Sequence, residues 1–361
     1  LIKAQNQGTD HGVAAIYDAE NNLWQNSYPE TTGYIIPTLY EYSKFKKNKL
    51  FFDSATKMAE WEINIQSPDG GTGEFVGFYM SNTTKPRMFN TGQVILGLIS
   101  AYKETNNRQF IESAIKSSNY IIKNTNDIGY WDFSNFNTPK TYNIRVAWAL
   151  LELYKITQEK KIKYTAERII RWVISETLEN GYIKKNNFSE YKETAFTHLL
   201  GYTLVGLLKV YKLKNFNINY ELILKRMINA GENIVKIYQN KDQFNFFPKI
   251  GLPSFFDASW QPLTSWSCIT GNTQIEYFLR LLWSITKSEV FLEVADNLLL
   301  DVKKLHIIED VTGDKNLIGG LFGSYPIEAD YCPFQIPNWG VKFFADSIMQ
   351  EMNSFENELL G

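Results

Sequence analysis

Cysteine is almost missing from this chain. Cys268 and Cys332 are the only two in 361 residues, 64 positions apart and in no CxxC or Cys/His cluster. That argues against a disulfide scaffold and against a structural zinc site. Three histidines and six methionines offer no ligand spacing, so no metal site and no cofactor are expected; only the Asp69 to Gly73 loop keeps a calcium ion open. Charge of either sign is also scarce as a block: 37 basic residues meet 39 acidic ones, and no five like charges run together. The nearest approach, Lys44 to Lys49, is broken by Phe45 and Asn48. Nucleic acid and membrane surfaces are met with concentrated Lys and Arg, so neither is expected as a partner. No run of eighteen apolar residues exists, which excludes a membrane-spanning helix from the expectation. The chain opens on Leu1 rather than Met, which reads as a trimmed product and leaves localisation open.

What the chain has instead is aromatic surplus and a repeat. Aromatics reach 15%, which fits either a groove for flat-faced ligands such as sugars or simply a bulky core. A two-helix unit recurs along the whole length. Its first member is apolar on nearly every face: Gly33 to Phe45, Gly92 to Glu104, Arg145 to Thr157, His198 to Leu213, Asn272 to Thr286 and Trp339 to Glu351. A helix greasy all round is buried all round. Its second member is amphipathic, as in Leu50 to Gln66, Gln109 to Thr125, Lys161 to Thr177, Asn219 to Tyr238 and Glu289 to His306. Between each outer helix and the next inner one lies a Gly, Asn and aromatic stretch with turn chemistry. Six buried helices wrapped by outer ones imply an all-α fold, an (α/α)6 toroid or six-hairpin barrel, as one domain over residues 1–361. Five outer helices stand against six inner, so the sixth precedes Leu1 or the ring is open there.

Parallel inner helices bring their N-termini to one mouth, where unpaired N–H groups and positive dipole ends attract polar and anionic ligands. The residues at those starts are therefore the site candidates: Tyr28 and Glu30, Asn90 and Gln93, Tyr142, Arg145 and Trp148, His198, Asn272, and Tyr331, Asn338 and Trp339. Thr32, Thr91, Thr197 and Thr270 read as helix N-caps. Arg145 sits one step inside an apolar helix, where a buried guanidinium needs an ion-pair partner or an anionic ligand. Glu30 is the best general acid: flanking tyrosines would raise its pKa while the helix dipole would lower it. For the second carboxylate that hydrolysis needs, Asp330 is chosen, since closing the ring puts repeat six beside repeat one; Asp18, Asp257 and Glu193 stay open.

The repeat resembles the six-hairpin (α/α)6 glycosidase-type superfamily of glycoside hydrolases, uronate-cleaving lyases and sugar epimerases. The run YPETTGY, Tyr28 to Tyr34, is similar to the Glu-x-x-Gly-Tyr opening of the first inner helix in family 8 glycoside hydrolases, where the Glu is the general acid. That resemblance implies the acid role for Glu30; the flanking residues differ, and that family's second acid has no counterpart at a matching place. The pattern YPETTGYIIP, FNTGQV, YNIRVAWALLEL and PNWGVKFFAD also resembles proteins encoded near polysaccharide biosynthesis genes. Trp61 to Gly70 (WEINIQSPDG) is similar to the turn repeat of terpenoid cyclases, but their DxDD motif is missing, so only the turn geometry is shared.

The resulting expectation is a glycoside hydrolase on a neutral or acidic oligo- or polysaccharide, with Glu30 as acid, Asp330 as partner and aromatics stacking the sugar. The alternative is a uronate lyase or C5-epimerase, with Arg145 and Asn90 neutralising a carboxylate and His198 or Tyr142 as base. A third is a non-catalytic glycan-binding or polysaccharide-assembly protein.

Overall fold

The computed structural model describes residues 1–73, 86–131, 138–189, 193–309 and 313–359. Among the described residues, after a short α1 (Ile2–Gln5), six inner helices alternate with five outer ones. The inner helices are α2 (Pro29–Lys46), α4 (Met88–Thr105), α6 (Ile144–Thr157), α8 (Thr197–Leu213), α10 (Ile269–Thr286) and α12 (Asn338–Leu359). The outer ones are α3 (Lys49–Ile65), α5 (Arg108–Asn124), α7 (Lys160–Ser175), α9 (Tyr220–Gln239) and α11 (Glu289–Lys303). Each inner helix packs on the next, and α12 returns to α2, so the ring closes into an (α/α)6 toroid.

Each hairpin is set by its turn. Lys47, Asn106, Gln158 and Lys287 end inner helices in the left-handed region, with φ of 51°, 56°, 57° and 59°. Such a residue stops a helix within one position. Asn48 and Asn107 then cap the following outer helix by accepting from the N–H groups of Leu50 and Gln109. At these four hairpins the chain thus reverses in two residues, which forces the antiparallel pair, while six residues join α8 to α9.

Small residues bring inner helices into close contact. A Cβ on Gly97 would stand 2.3 Å from the Gly33 carbonyl oxygen, and one on Gly33 would stand 2.8 Å from the Val94 Cα. Side chains larger than hydrogen would force α2 and α4 apart. At the ring's closure, strand Ile16–Asp18 pairs antiparallel with Leu23–Trp24 and with Gln335–Pro337. Asn338 Nδ2 donates to the Ala14 carbonyl and to Thr31 Oγ1, each at 2.9 Å. Among the described residues no outer helix covers the seam between α2 and α12, where Tyr42, Phe45, Phe344 and Met349 line an apolar groove.

Inner helices start earlier than their apolar pattern indicates. α2 and α4 begin four residues sooner, at Pro29 and Met88, because the first turn is polar and aromatic and carries no apolar periodicity. Pro29 suits that start, since its missing N–H would have been unpaired anyway. The threonines expected as caps therefore lie inside the helices. Thr32 and Thr91 accept from the N–H groups of Val13 and Thr72, each at 3.0 Å, and Thr197 donates to the Pro253 carbonyl at 2.6 Å. Thr32 and Thr91 tie the preceding loop to the helix start, and Thr197 ties the start of α8 to the loop before α10, instead of capping. In Trp61 to Gly70 the first five residues finish α3 and the turn follows at Ser67 to Gly70, where Gln66 Nε2 donates to the Gly70 carbonyl at 3.1 Å and to Ser117 Oγ on α5 at 2.8 Å. Cys268 and Cys332 are unbridged thiols.

Candidate active site

Among the described residues, the bore of the toroid shows a cavity at each end. The first, about 180 Å³, lies at the long-loop mouth where inner helices begin. Tyr28 and Glu30 reach it from the start of α2, Asn90 from α4, Tyr142 from the turn before α6, His198 from α8, and Tyr331 and Trp339 from the approach to α12. Seven of the thirteen predicted positions thus converge on one hollow, drawn from five of the six repeats.

The remaining six lie elsewhere. Asp330 is exposed on its loop and does not line the cavity, so it does not face Glu30. Arg145 and Trp148 line the opposite cavity, Arg145 already as the second residue of α6. Gln93 is buried and accepts from Arg145 Nε at 2.8 Å. Asn272 accepts from the Leu252 N–H at 2.7 Å and donates to the Cys268 carbonyl at 2.8 Å, anchoring a loop; Asn338 holds the ring closure. The alternatives for a second carboxylate do not reach the mouth either. Asp18 accepts from the N–H groups of Glu20 and Asn21, Asp257 from those of Ser259 and Gln261, and Glu193 is exposed. Among the described residues, Glu30 is the one carboxylate lining this cavity.

The chemistry available there is an acid beside a neutral imidazole. Glu30 Oε2 accepts from the Tyr28 hydroxyl at 2.7 Å. His198 is buried against Tyr202 and Tyr331, with ring centroids 4.6 and 5.7 Å away. Burial, outweighing the Gln274 hydrogen bond and helped by nearby Arg145, holds its pKa down at about 4. Its Nδ1 stands 2.9 Å from Gln274 Oε1. An amide oxygen only accepts, so Nδ1 carries the proton and Nε2 keeps its lone pair. Tyr142, the other base considered, is driven upward by burial and by Glu30, so its hydroxyl holds its proton at neutral pH. Trp339 Nε1 donates to the Tyr331 hydroxyl at 2.8 Å, which fixes two aromatic walls relative to each other.

The structure adds residues that the helix starts did not flag, among them Arg87, Phe89, Trp131 and Tyr202. Arg87 was legible only with the true start of α4, where it is the residue before the first turn. Tyr202 follows His198 by four residues, the helical spacing that places both on one face. No group of three His, Cys, Asp or Glu able to hold a metal occurs among the described residues, and none of their helices is long and apolar enough to cross a membrane.

A model of the GH127 catalytic domain, described as beta-L-arabinofuranosidase, matches residues 64–215. That span includes Asn90, Tyr142 and His198 but not Glu30. No curated protein matches the chain. Solved structures similar to it include cellobiose 2-epimerase from Spirochaeta thermophila, at a TM-score of 0.73 and 11% identity over 99% of this chain and 94% of that one. An unsaturated glucuronyl hydrolase specific for heparin is similar at 0.71 and 13%, over 98% and 94%. A glycosyl hydrolase family 88 protein from Bacteroides vulgatus is similar at 0.66 and 12%, over 98% and 95%.

Proposed function

We propose that this chain, whose fold is that of the six-hairpin (α/α)6 glycosidase-type superfamily, is a glycoside hydrolase working at the long-loop mouth with Glu30 as its general acid. The glycoside hydrolase family match and the toroid support a carbohydrate-active enzyme. The observation that carries the finer reading is the convergence of Glu30, His198 and the aromatic walls of Tyr28, Tyr331 and Trp339 on one hollow. Glu30 protonates the leaving glycosidic oxygen. His198 takes the role first given to Asp330 and receives the proton of the attacking water at Nε2. An imidazole held at about 4 is comparable in basicity to the carboxylate that ordinarily does this. Arg87 at the rim favours a substrate carrying acidic groups.

Replacing Glu30 by Gln keeps the shape and removes the acid, so turnover on an oligosaccharide panel should fall roughly 10²- to 10⁴-fold while binding persists. Full retained turnover removes Glu30 from the mechanism. A second reading, a uronate lyase or epimerase, draws support from the single lining carboxylate and from Asn90 and Arg87 beside a neutral His198. It is separated by a rise in ultraviolet absorbance from an unsaturated uronate, or by deuterium uptake from heavy water.

A further inference from the structure

The cavity at the other end of the bore, about 390 Å³, opens where the inner helices end and the hairpin turns are short. Three cations line it: Arg145, Lys209 and Lys342, against two carboxylates, Glu41 and Asp346. Asp346 is already occupied, with Lys342 on one oxygen and the Thr38 hydroxyl on the other at 2.7 Å. Arg145 and Lys209 are not neutralised in this way. Arg145 is 3% exposed, its Nε donates to Gln93, and its two Nη groups have no protein acceptor among the described residues. No carboxylate of those residues lies within 4.0 Å of it. Lys209 donates to the Tyr277 hydroxyl at 2.9 Å. Both cations approach the Trp148 ring, at 5.5 and 5.7 Å from its centroid. Gln274, 1% exposed, also lines the cavity, and its Nε2 is buried without a hydrogen-bond partner.

Buried donors left unmatched cost free energy unless something accepts from them. Here the buried unmatched donor is the Gln274 amide, beside a guanidinium fork without a protein acceptor among the described residues and an ammonium, around a hollow walled by Trp148 and Tyr277. We infer that this cavity is a second site, separate from the mouth, that binds a small oxyanion-bearing ligand, a carboxylate or phosphate carried on a body of monosaccharide size. The planar fork of Arg145 takes two of its oxygens, Lys209 takes a third contact, Gln274 Nε2 donates to what remains, and Trp148 offers a flat face. The inference needs no turnover and stands apart from the hydrolase reading.

The test is calorimetric titration of the full chain with glucuronate, glucose 6-phosphate, inorganic phosphate and glucose. Binding of at least one anion and not of glucose is expected. Glucuronate alone binding identifies a carboxylate ligand, and the sugar phosphate or phosphate alone identifies a phosphate ligand. Lys209→Gln, at a half-buried position, should weaken binding at least about tenfold, the weight of one charge-assisted hydrogen bond. Arg145→Lys, which keeps the charge and loses the fork, should do the same, whereas Glu30→Gln at the opposite end should leave affinity unchanged. Absence of binding by every anion overturns the inference. So does binding that survives both cavity substitutions or is lost with Arg87→Gln at the mouth.

Discussion

The imidazole of His198 leaves a signature in stability that is independent of substrate. Burial lowers its pKa from 6.5 to about 4 in the folded chain. Between those values the unfolded chain binds a proton that the native state refuses, so stability rises with pH across that window and is lost as pH falls from 6.5 toward 4. Above 6.5 both states are neutral and the effect vanishes. At pH 5 the two pKa values correspond to about 2 kcal/mol of native stability lost. His198→Asn removes the titration and leaves an amide N–H near the position of Nδ1 to donate to Gln274. Urea unfolding of both proteins at pH 7 and pH 5 isolates the term. Glu276, raised to about 7 by burial, and Glu62 titrate in both proteins and cancel in the difference. The native protein should lose about 2 kcal/mol more than the variant on going from pH 7 to pH 5. Equal losses, or an imidazole resonance titrating near 6.5, would refute the neutral imidazole and with it the base role assigned to His198.

Two further outcomes probe the scaffold. Gly97→Ala puts a methyl carbon 2.3 Å from the Gly33 carbonyl oxygen, a backbone atom that has nowhere to go, so chemical denaturation should show a loss of about 3 kcal/mol. Glu62 is fully buried with both carboxylate oxygens unpaired, and burial pushes its pKa well above the ordinary range. A raised carboxyl stabilises the native state least at high pH, because the unfolded chain releases a proton that the native chain retains. Glu62→Gln should therefore gain stability relative to the native chain, with a gap that widens from pH 5 to pH 8; a constant gap shows that Glu62 is not held protonated.

Much of the architecture was written along the chain. Six helices apolar on every face, each followed by an amphipathic one, can bury themselves only inside a ring, because hydrophobic periodicity reports which faces avoid water. Part of the mouth was legible for the same reason: the start of a buried helix lies at the ring's end, beside its hollow, as at Tyr28, Glu30, Asn90, Tyr142, His198, Tyr331 and Trp339. Local pattern is blind to depth along the bore and to what lies across it. One turn separates Tyr142 at the mouth from Arg145 in the opposite cavity, and only the packing of six helices decides on which side of the mid-plane a side chain falls. Asp330 is next to Tyr331 in the chain, yet one is exposed and the other lines the mouth, since a loop sends neighbouring side chains in different directions. The low pKa of His198 and the unmatched donors of Arg145 and Gln274 likewise exist only once distant segments have excluded water from them, which is a property of three dimensions and not of order along the chain.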